Sequence, residues 1–139
     1  MDISKILDKE NIPHINTLSP LSLAFLGDSV YEMFVRTKIL SMGNRPANEL
    51  HKIAVGYVKA KAQATAGHKI LEILTEEETD IYKRGRNTNI HTVPKNADMA
   101  DYRHATALEA LVGYLYLKGD VERMIKLISL GVQKAEVTL

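Results

Sequence analysis

Residues 19–44 read SPLSLAFLGDSVYEMFVRTKILSMGN and predict a long helix near the start of the chain. Ser19 is a favourable N-cap, and Pro20 suits the first helical position, where its missing N–H costs nothing. Apolar residues then recur at helical spacing as far as Met42, and Gly43 ends the pattern. The stretch therefore predicts a helical start to the fold.

The rest of the chain also favours helices, because no segment keeps a sustained two-residue alternation between hairpin turns. Thr75 with Glu78 three residues later forms a capping-box pattern, and acids in that first turn suit the helix dipole. The sequence predicts one all-α domain over residues 1–139. Further helices are expected from Pro46 towards Gly67, from Thr75 to about Gly85, from Asp98 to about Lys118 and after Gly119, with a short apolar piece at 70–74 and a loop at 88–96.

Composition excludes several classes of protein. The 139 residues suit one domain, and a hydrophobic content of 45% is enough for a core. The absence of cysteine excludes disulfides, thiolate-bound zinc and thiol catalysis. No apolar run reaches the roughly 18 residues of a membrane span, and the early Asp2 disfavours a secretory signal. A cytoplasmic protein without a membrane partner is expected.

Two carboxylates interrupt apolar helical runs. Asp28 is the only charge in residues 21–31, and Glu109 is the only charge in residues 105–115. A carboxylate among apolar neighbours needs a cation, hydrogen-bond donors or solvent. Small residues lie next to both acids on their helices and permit close approach of another helix or a ligand: Ala24, Gly27, Ala105 and Gly113.

These acids suit a hard divalent cation, because Mg²⁺ or Mn²⁺ commonly binds one or two carboxylates together with waters and phosphate oxygens. Such an ion can activate water and neutralise charge on a phosphodiester. The alternative is that Asp28 and Glu109 are ordinary solvent-facing acids on amphipathic helices. Periodicity alone leaves both interpretations open.

Charge is segregated along the chain, although the net charge is only +1. The stretch 81–97 contains no acid and directly follows the acidic cluster 76–80. We call its positively charged and histidine side chains the basic zone: Lys83, Arg84, Arg86, His91 and Lys95. The basic zone is a candidate for phosphate contacts with duplex RNA, and the alternative is a solvated helix end with ordinary C-terminal cations.

Several weaker candidates have bland explanations that fit them better. A lysine group on the second helix is expected to be a solvated face. His104 is expected to be a surface or packing residue. Ser29 is not expected to be a nucleophile, because the sequence places no base for it. The lysine group consists of Lys52, Lys59 and Lys61 with Tyr57.

Two sequence motifs resemble the ribonuclease III family. Residues 25–30, FLGDSV, look like the core of that family's signature, and residues 108–113, LEALVG, resemble its second motif. The pairing of both motifs in this order is more specific than either alone. The resemblance covers nearly the whole chain, and with the basic zone it points to the Mini-ribonuclease III branch, which consists of the catalytic domain without a double-stranded-RNA-binding domain.

The resemblance implies a Mg²⁺-dependent endoribonuclease that cuts double-stranded RNA as a homodimer. Asp28 and Glu109 carry over as catalytic metal ligands, with Mn²⁺ as a possible substitute ion, and Lys83, Arg84, Arg86 and Lys95 as RNA-binding residues. Phe25 is expected at the dimer interface, although core packing within one subunit explains it nearly as well. The substrate expected for this branch is precursor 23S ribosomal RNA, with a ribosomal protein as a further candidate partner.

The sequence departs from ribonuclease III proper at four positions where the family carries additional acids. They hold Leu21, Ala24, Asn48 and Thr106. These losses are expected of the Mini-ribonuclease III branch, but they also favour a first rival function, a non-catalytic RNA-binding module in ribosome assembly. A second rival is a helical protein-interaction domain without an RNA role.

Overall fold

The computed structural model describes residues 7, 9–89, 93 and 95–133, and all regular structure within these ranges is helical. The predicted all-α class is confirmed. Of the helices in these ranges, none has the length and hydropathy to cross a bilayer. The α-helices are α1 (Pro20–Ser41), α2 (Ala47–Val58), α3 (Ala60–Ile70), α4 (Glu76–Asn87), α5 (Met99–Lys118) and α6 (Val121–Val132), and short 3-10 helices cover Lys9–Asn11, Ile15–Thr17 and Leu71–Ile73.

Local capping fixes most helix ends where the sequence predicts them. The Ser19 hydroxyl accepts from the Ser22 amide at 3.1 Å and begins α1. At α4 the capping box is complete, because Thr75 accepts from the Glu78 amide at 3.2 Å and the Glu78 carboxylate accepts from the Thr75 amide at 2.9 Å. The left-handed φ of 87° at Gly119 ends α5. These caps depend only on neighbouring residues, so the sequence could predict them.

The helix predicted from Pro46 towards Gly67 is wrong as one continuous element. The chain turns at Lys59, where ψ is 151°, and separates α2 from α3. The break lets α2 pack on α1 while α3 packs on α5 and α6. Tertiary packing therefore overrides the helical periodicity, and Gly56 near the break weakens helix propensity there.

The core is built around α5, which packs against α1, α3 and α4 and also meets α6. Its buried face includes Leu108, Leu111 and Leu115, each at most 2% exposed. A partly buried ion pair links α6 to α4, because Arg123 Nη2 lies 2.8 Å from Glu78 Oε1 and Glu78 is 5% exposed.

Candidate active site

Helices α1 and α5 cross at close range at two glycines. A Cβ atom at Gly27 would lie 2.7 Å from the carbonyl carbon of Glu109 and closer still to its oxygen. A Cβ atom at Gly113 would lie 2.9 Å from the carbonyl carbon of Leu23. Real Cβ atoms essentially never come within 3.0 Å of such atoms, so only glycine fits either position. The close approach predicted from the small residues is confirmed.

This crossing brings the two predicted acids together. Asp28 is exposed and Glu109 is partly exposed. Burial raises the pKa of Glu109 to about 9, and a hydrogen bond to Asp28 together with repulsion from its charge acts in the same direction. The protonated Glu109 carboxyl can donate to the Asp28 carboxylate. The alternative of a solvent-facing acid fits the exposed Asp28, whereas Glu109 is partly enclosed.

The four positions at which ribonuclease III proper carries additional acids hold residues without a carboxylate, so the site contains few acidic side chains. Ala24 and Thr106 are 8% and 6% exposed, and the Thr106 hydroxyl donates to the Tyr102 carbonyl at 3.0 Å. Leu21 is 42% exposed, and Asn48 lies exposed in the first turn of α2. Across the described ranges, no group of three or more histidine or acidic side chains is placed to share a metal ion.

The donor set of Asp28 and Glu109 fits one hard divalent cation. The two carboxyl groups interact closely, and burial and the charge of Asp28 raise the pKa of Glu109. A cation such as Mg²⁺ would relieve that repulsion, and it commonly takes one or two carboxylates while waters and substrate oxygens complete its shell.

Tyr31 is a neighbour of the acids that sequence reasoning missed. It follows Asp28 by three residues on α1, is 1% exposed, and its hydroxyl is buried without a hydrogen-bond partner among the described residues. Burial raises the pKa of Tyr31 to about 12, and the charges of Glu109 and Tyr57 act on it as well. The helical spacing from Asp28 was the only sequence signal for this residue.

The part of the basic zone that lies on α4 is next to α5. Lys83 and Arg84 are exposed near the C-terminal end of α4, and Arg86 is partly exposed. Gly85 seats this helix end on α5, because a Cβ atom there would lie 2.9 Å from the Cα atom of Ala107. Lys95 is exposed in the following loop, whereas His91 lies outside the described residues.

Phe25 and His104, the remaining candidates, lie in different environments. Phe25 is 83% exposed, which excludes packing in the core of its own subunit. The hydroxyl of Tyr82 and Nδ1 of His104 are 2.6 Å apart, and the rings of His104 and His68 contact each other at a tilt of 37° with centroids 4.1 Å apart. The pKa of His104 is lowered by burial and by His68. These contacts give His104 a packing environment.

The lysine group on α2 and α3 is split by the turn at Lys59. Lys52 lies on the exposed surface of α2, whereas Lys59 and Lys61 border a pocket together with Tyr57. All three lysines are exposed, so the solvated interpretation is confirmed, but they lie on two helices and the turn between them and do not form one helix face.

Comparison with known proteins gives consistent matches. Residues 21–120 match the family described as the ribonuclease III domain. A protein named Mini-ribonuclease 3 from Thermoanaerobacter is 48% identical over 98% of this chain and 94% of its own length. Another of that name, from Streptococcus pneumoniae, is 47% identical over 88% of this chain and 97% of its own length. A crystal structure of a Fusobacterium nucleatum protein superposes with a TM-score of 0.76 at 38% identity and covers 83% of this chain and 92% of that one.

Proposed function

The chain belongs to the ribonuclease III family, in the group named Mini-ribonuclease 3, and on that premise we propose that it is a Mg²⁺-dependent endonuclease that cuts double-stranded RNA. The observation that carries the proposal is the pairing of Asp28 with Glu109 across the glycine crossing of α1 and α5. Both acids occupy the motif positions at which the family's catalytic carboxylates are expected.

Asp28 and Glu109 would hold the cation, with Mn²⁺ able to substitute for Mg²⁺. When bound, the ion supplies an activated water and neutralises charge on the phosphodiester. Asp28 stays solvent-facing, so it can orient a water towards the RNA, whereas the more enclosed Glu109 must give up its proton before it acts as a ligand. The close crossing holds together the backbone segments that carry the two carboxyl groups, which would reduce the reorganisation needed before reaction.

The basic zone is the proposed RNA-binding surface of the same enzyme. Lys83 and Arg84 are exposed and extend from a helix end that is fixed on α5, with Arg86 beside them and Lys95 in the loop beyond. A-form RNA is recognised chiefly by shape, phosphates and 2′-hydroxyls, and exposed cations suit the phosphates.

A homodimer is the proposed assembly, because Phe25 leaves a large apolar side chain in water in the middle of α1. At 83% exposure Phe25 forms an apolar surface with Leu21, which lies one turn earlier on α1 and is 42% exposed. Aromatic anchors of this kind contribute strongly to interfaces. Asp28 lies less than one turn after Phe25, so a dimer formed there would place two acidic pairs near one duplex.

The proposed biological substrate is precursor 23S ribosomal RNA, processed by the single catalytic domain in the cytoplasm, and a ribosomal protein is a further proposed partner. This assignment rests on the family group. The second candidate function is a non-catalytic RNA-binding module in ribosome assembly. The observation that favours it is the presence of only two carboxylates among the described residues that could share a metal ion.

A cleavage assay with end-labelled duplex RNA distinguishes the two functions. The enzyme is expected to cut the duplex in Mg²⁺, to stop in EDTA and to leave single strands intact. An alanine variant of Lys83, Arg84 and Arg86 should raise the RNA concentration needed for half-maximal rate more than it lowers the rate at saturation. Tight duplex binding with no cleavage in Mg²⁺ or Mn²⁺ would establish the binding module instead.

A further inference from the structure

One side chain at the helix crossing carries a buried hydroxyl that makes no hydrogen bond. Tyr31 is 1% exposed, and within the described part of the chain its hydroxyl is the one buried side-chain polar group without a partner. Buried hydroxyls in folded proteins are nearly always hydrogen-bonded, so an unpartnered one calls for an explanation. Because the hydroxyl has almost no accessible surface, its partner has to come from the groups packed around it.

The direction of the two crossing helices brings Tyr31 and Glu109 towards each other. The Leu23 carbonyl lies against Gly113. One turn later on α1, Gly27 lies against the carbonyl of Glu109, which is one turn earlier on α5, so the helices run antiparallel here. Side chains on a helix lean towards the N-terminus of that helix. Tyr31, one turn beyond Gly27, therefore leans back towards the crossing, and Glu109 leans from the crossing towards Tyr31.

The electrostatics of the two side chains agree with this placement. Burial raises the pKa of Tyr31 to about 12, and the charge of Glu109 is the next largest cause, ahead of that of Tyr57. The phenol therefore keeps its proton at neutral pH and can donate to a carboxylate. In the structure the Glu109 carboxyl is hydrogen-bonded to Asp28 instead, so the Tyr31 donor stays unused.

We propose that Tyr31 is a positioning residue of the active site, whose hydroxyl donates to the Glu109 carboxylate when the acidic pair binds its divalent cation. The role rests on the proposed function. When both carboxylates bind a cation, the hydrogen bond between them is lost, and a Glu109 oxygen is free to accept from another donor. The terminal torsion of a glutamate side chain is soft, so a small rotation exchanges one partner for the other.

The consequence of this hydrogen bond is a fixed orientation of the Glu109 carboxylate. Hydrogen bonds from outer residues orient metal ligands, and their loss typically costs about 10–100-fold in metal affinity or activity. A bond from a neutral phenol to a carboxylate is charge-assisted and stronger than one between neutral groups. Tyr31 would then act on the cation only through Glu109, since its own oxygen is enclosed.

Tyr31→Phe tests the role by metal affinity, without RNA cleavage. Mn²⁺ is titrated into the full chain by calorimetry in the absence of RNA, and the binding lost in Asp28→Asn defines the site. Tyr31→Phe should weaken that binding at least about tenfold. In EDTA its melting temperature should equal or exceed that of the wild type, because the ring remains and only an unsatisfied hydroxyl is removed.

Tyr82→Phe is the matched control. Tyr82 is 0% exposed, but its hydroxyl is paired with Nδ1 of His104 at a distance of 2.6 Å. This variant should melt at a lower temperature in EDTA, because a satisfied buried hydrogen bond is lost, and it should bind Mn²⁺ within about twofold of the wild type. The two variants are thus expected to separate metal affinity from stability in opposite ways.

Single-turnover cleavage of duplex RNA provides a second measurement. Tyr31→Phe should lower the rate at saturating RNA about tenfold or more and leave the RNA concentration for half-maximal rate within about twofold, because the enclosed hydroxyl cannot touch RNA. A change confined to that RNA concentration would contradict a role through Glu109.

Unchanged Mn²⁺ affinity in Tyr31→Phe would overturn the positioning role. A lower melting temperature of this variant in EDTA would overturn it as well, because the hydroxyl would then already have a partner. Both outcomes leave the proposed function standing as long as wild-type Mn²⁺ binding depends on Asp28. If Asp28→Asn binds Mn²⁺ as the wild type does, the acidic pair is not the metal site, and the proposed function and the role of Tyr31 are refuted together.

Discussion

Replacing Gly27 by alanine tests the glycine crossing directly. The added methyl would meet the Glu109 main chain, with its carbonyl carbon 2.7 Å away and its oxygen nearer still, and would come within 2.8 Å of the Gly113 amide nitrogen. These atoms belong to the backbone of α5 and cannot rotate aside. The helices must therefore separate until the contacts exceed about 3.0 Å.

The size of the effect follows from two opposing contributions. Overpacking a core costs about 1–3 kcal/mol and occasionally more, and a rigid backbone contact belongs at the upper end. Alanine regains about 1 kcal/mol of helix propensity over glycine. A net loss of about 2 kcal/mol or more is expected, which lowers the melting temperature by roughly 6 °C at this chain length.

Gly56→Ala is the matched control for this experiment. Gly56 is also helical, but a Cβ atom there would have no neighbour within 4 Å, so its melting temperature should stay level or rise. Both variants are compared by thermal unfolding in EDTA, followed by cleavage of duplex RNA in Mg²⁺. Gly27→Ala should also cut more slowly, because separation of the helices moves Asp28 away from Glu109. A Gly27→Ala protein as stable as Gly56→Ala would refute the close crossing.

Three further predictions concern separate parts of the molecule. Glu109→Gln should have a higher melting temperature than the metal-free wild type at pH 8 and about the same melting temperature at pH 5. The folded-state pKa of Glu109 is about 9, above the ordinary 4.5, so the stability of the wild type falls as the pH rises between those values. A melting-temperature difference that is the same at both pH values would contradict this. Phe25→Glu should be a monomer in light scattering. The control Ile125→Glu changes another exposed apolar side chain, on α6 at 44% exposure, and should remain a dimer. A dimeric Phe25→Glu protein would show that the interface lies elsewhere. Arg123→Met should cost about 2 kcal/mol in urea unfolding, because the buried Glu78 carboxylate loses its charged donor and keeps only the Thr75 amide. A loss near zero would show that the ion pair contributes nothing to stability.

The helix ends and the acidic pair could be predicted from the sequence because their causes are local or carried by motifs. Thr75 and Glu78 cap α4 with contacts three residues apart. Gly27 beside Asp28 indicated that another element could approach this helix closely, and α5 does so. The features that escaped prediction depend on tertiary packing. Nothing in the periodicity marks the turn at Lys59, which exists because α2 and α3 pack on different neighbours.

Burial of the Tyr31 hydroxyl and exposure of the Phe25 ring were equally inaccessible to pattern reasoning. Both side chains lie on α1 with helical spacing around Asp28, yet Tyr31 is 1% exposed and Phe25 is 83% exposed. The difference arises because α5, α2 and α4 pack against α1, while the described part of this subunit leaves the Phe25 side of α1 open. A single amphipathic pattern cannot separate a core face from an interface face.

Asp28→Asn provides the most direct measurement of the proposed catalytic centre. The variant should remain folded, dimeric and able to bind duplex RNA in EDTA, while its single-turnover cleavage rate in Mg²⁺ falls by at least about a hundredfold, as expected when an acid that positions a reacting group is removed. The same change at Asp80, an exposed acid on α4, should leave the rate unaltered. Full cleavage by Asp28→Asn, or an equal loss in Asp80→Asn, would contradict a catalytic centre built on Asp28 and Glu109.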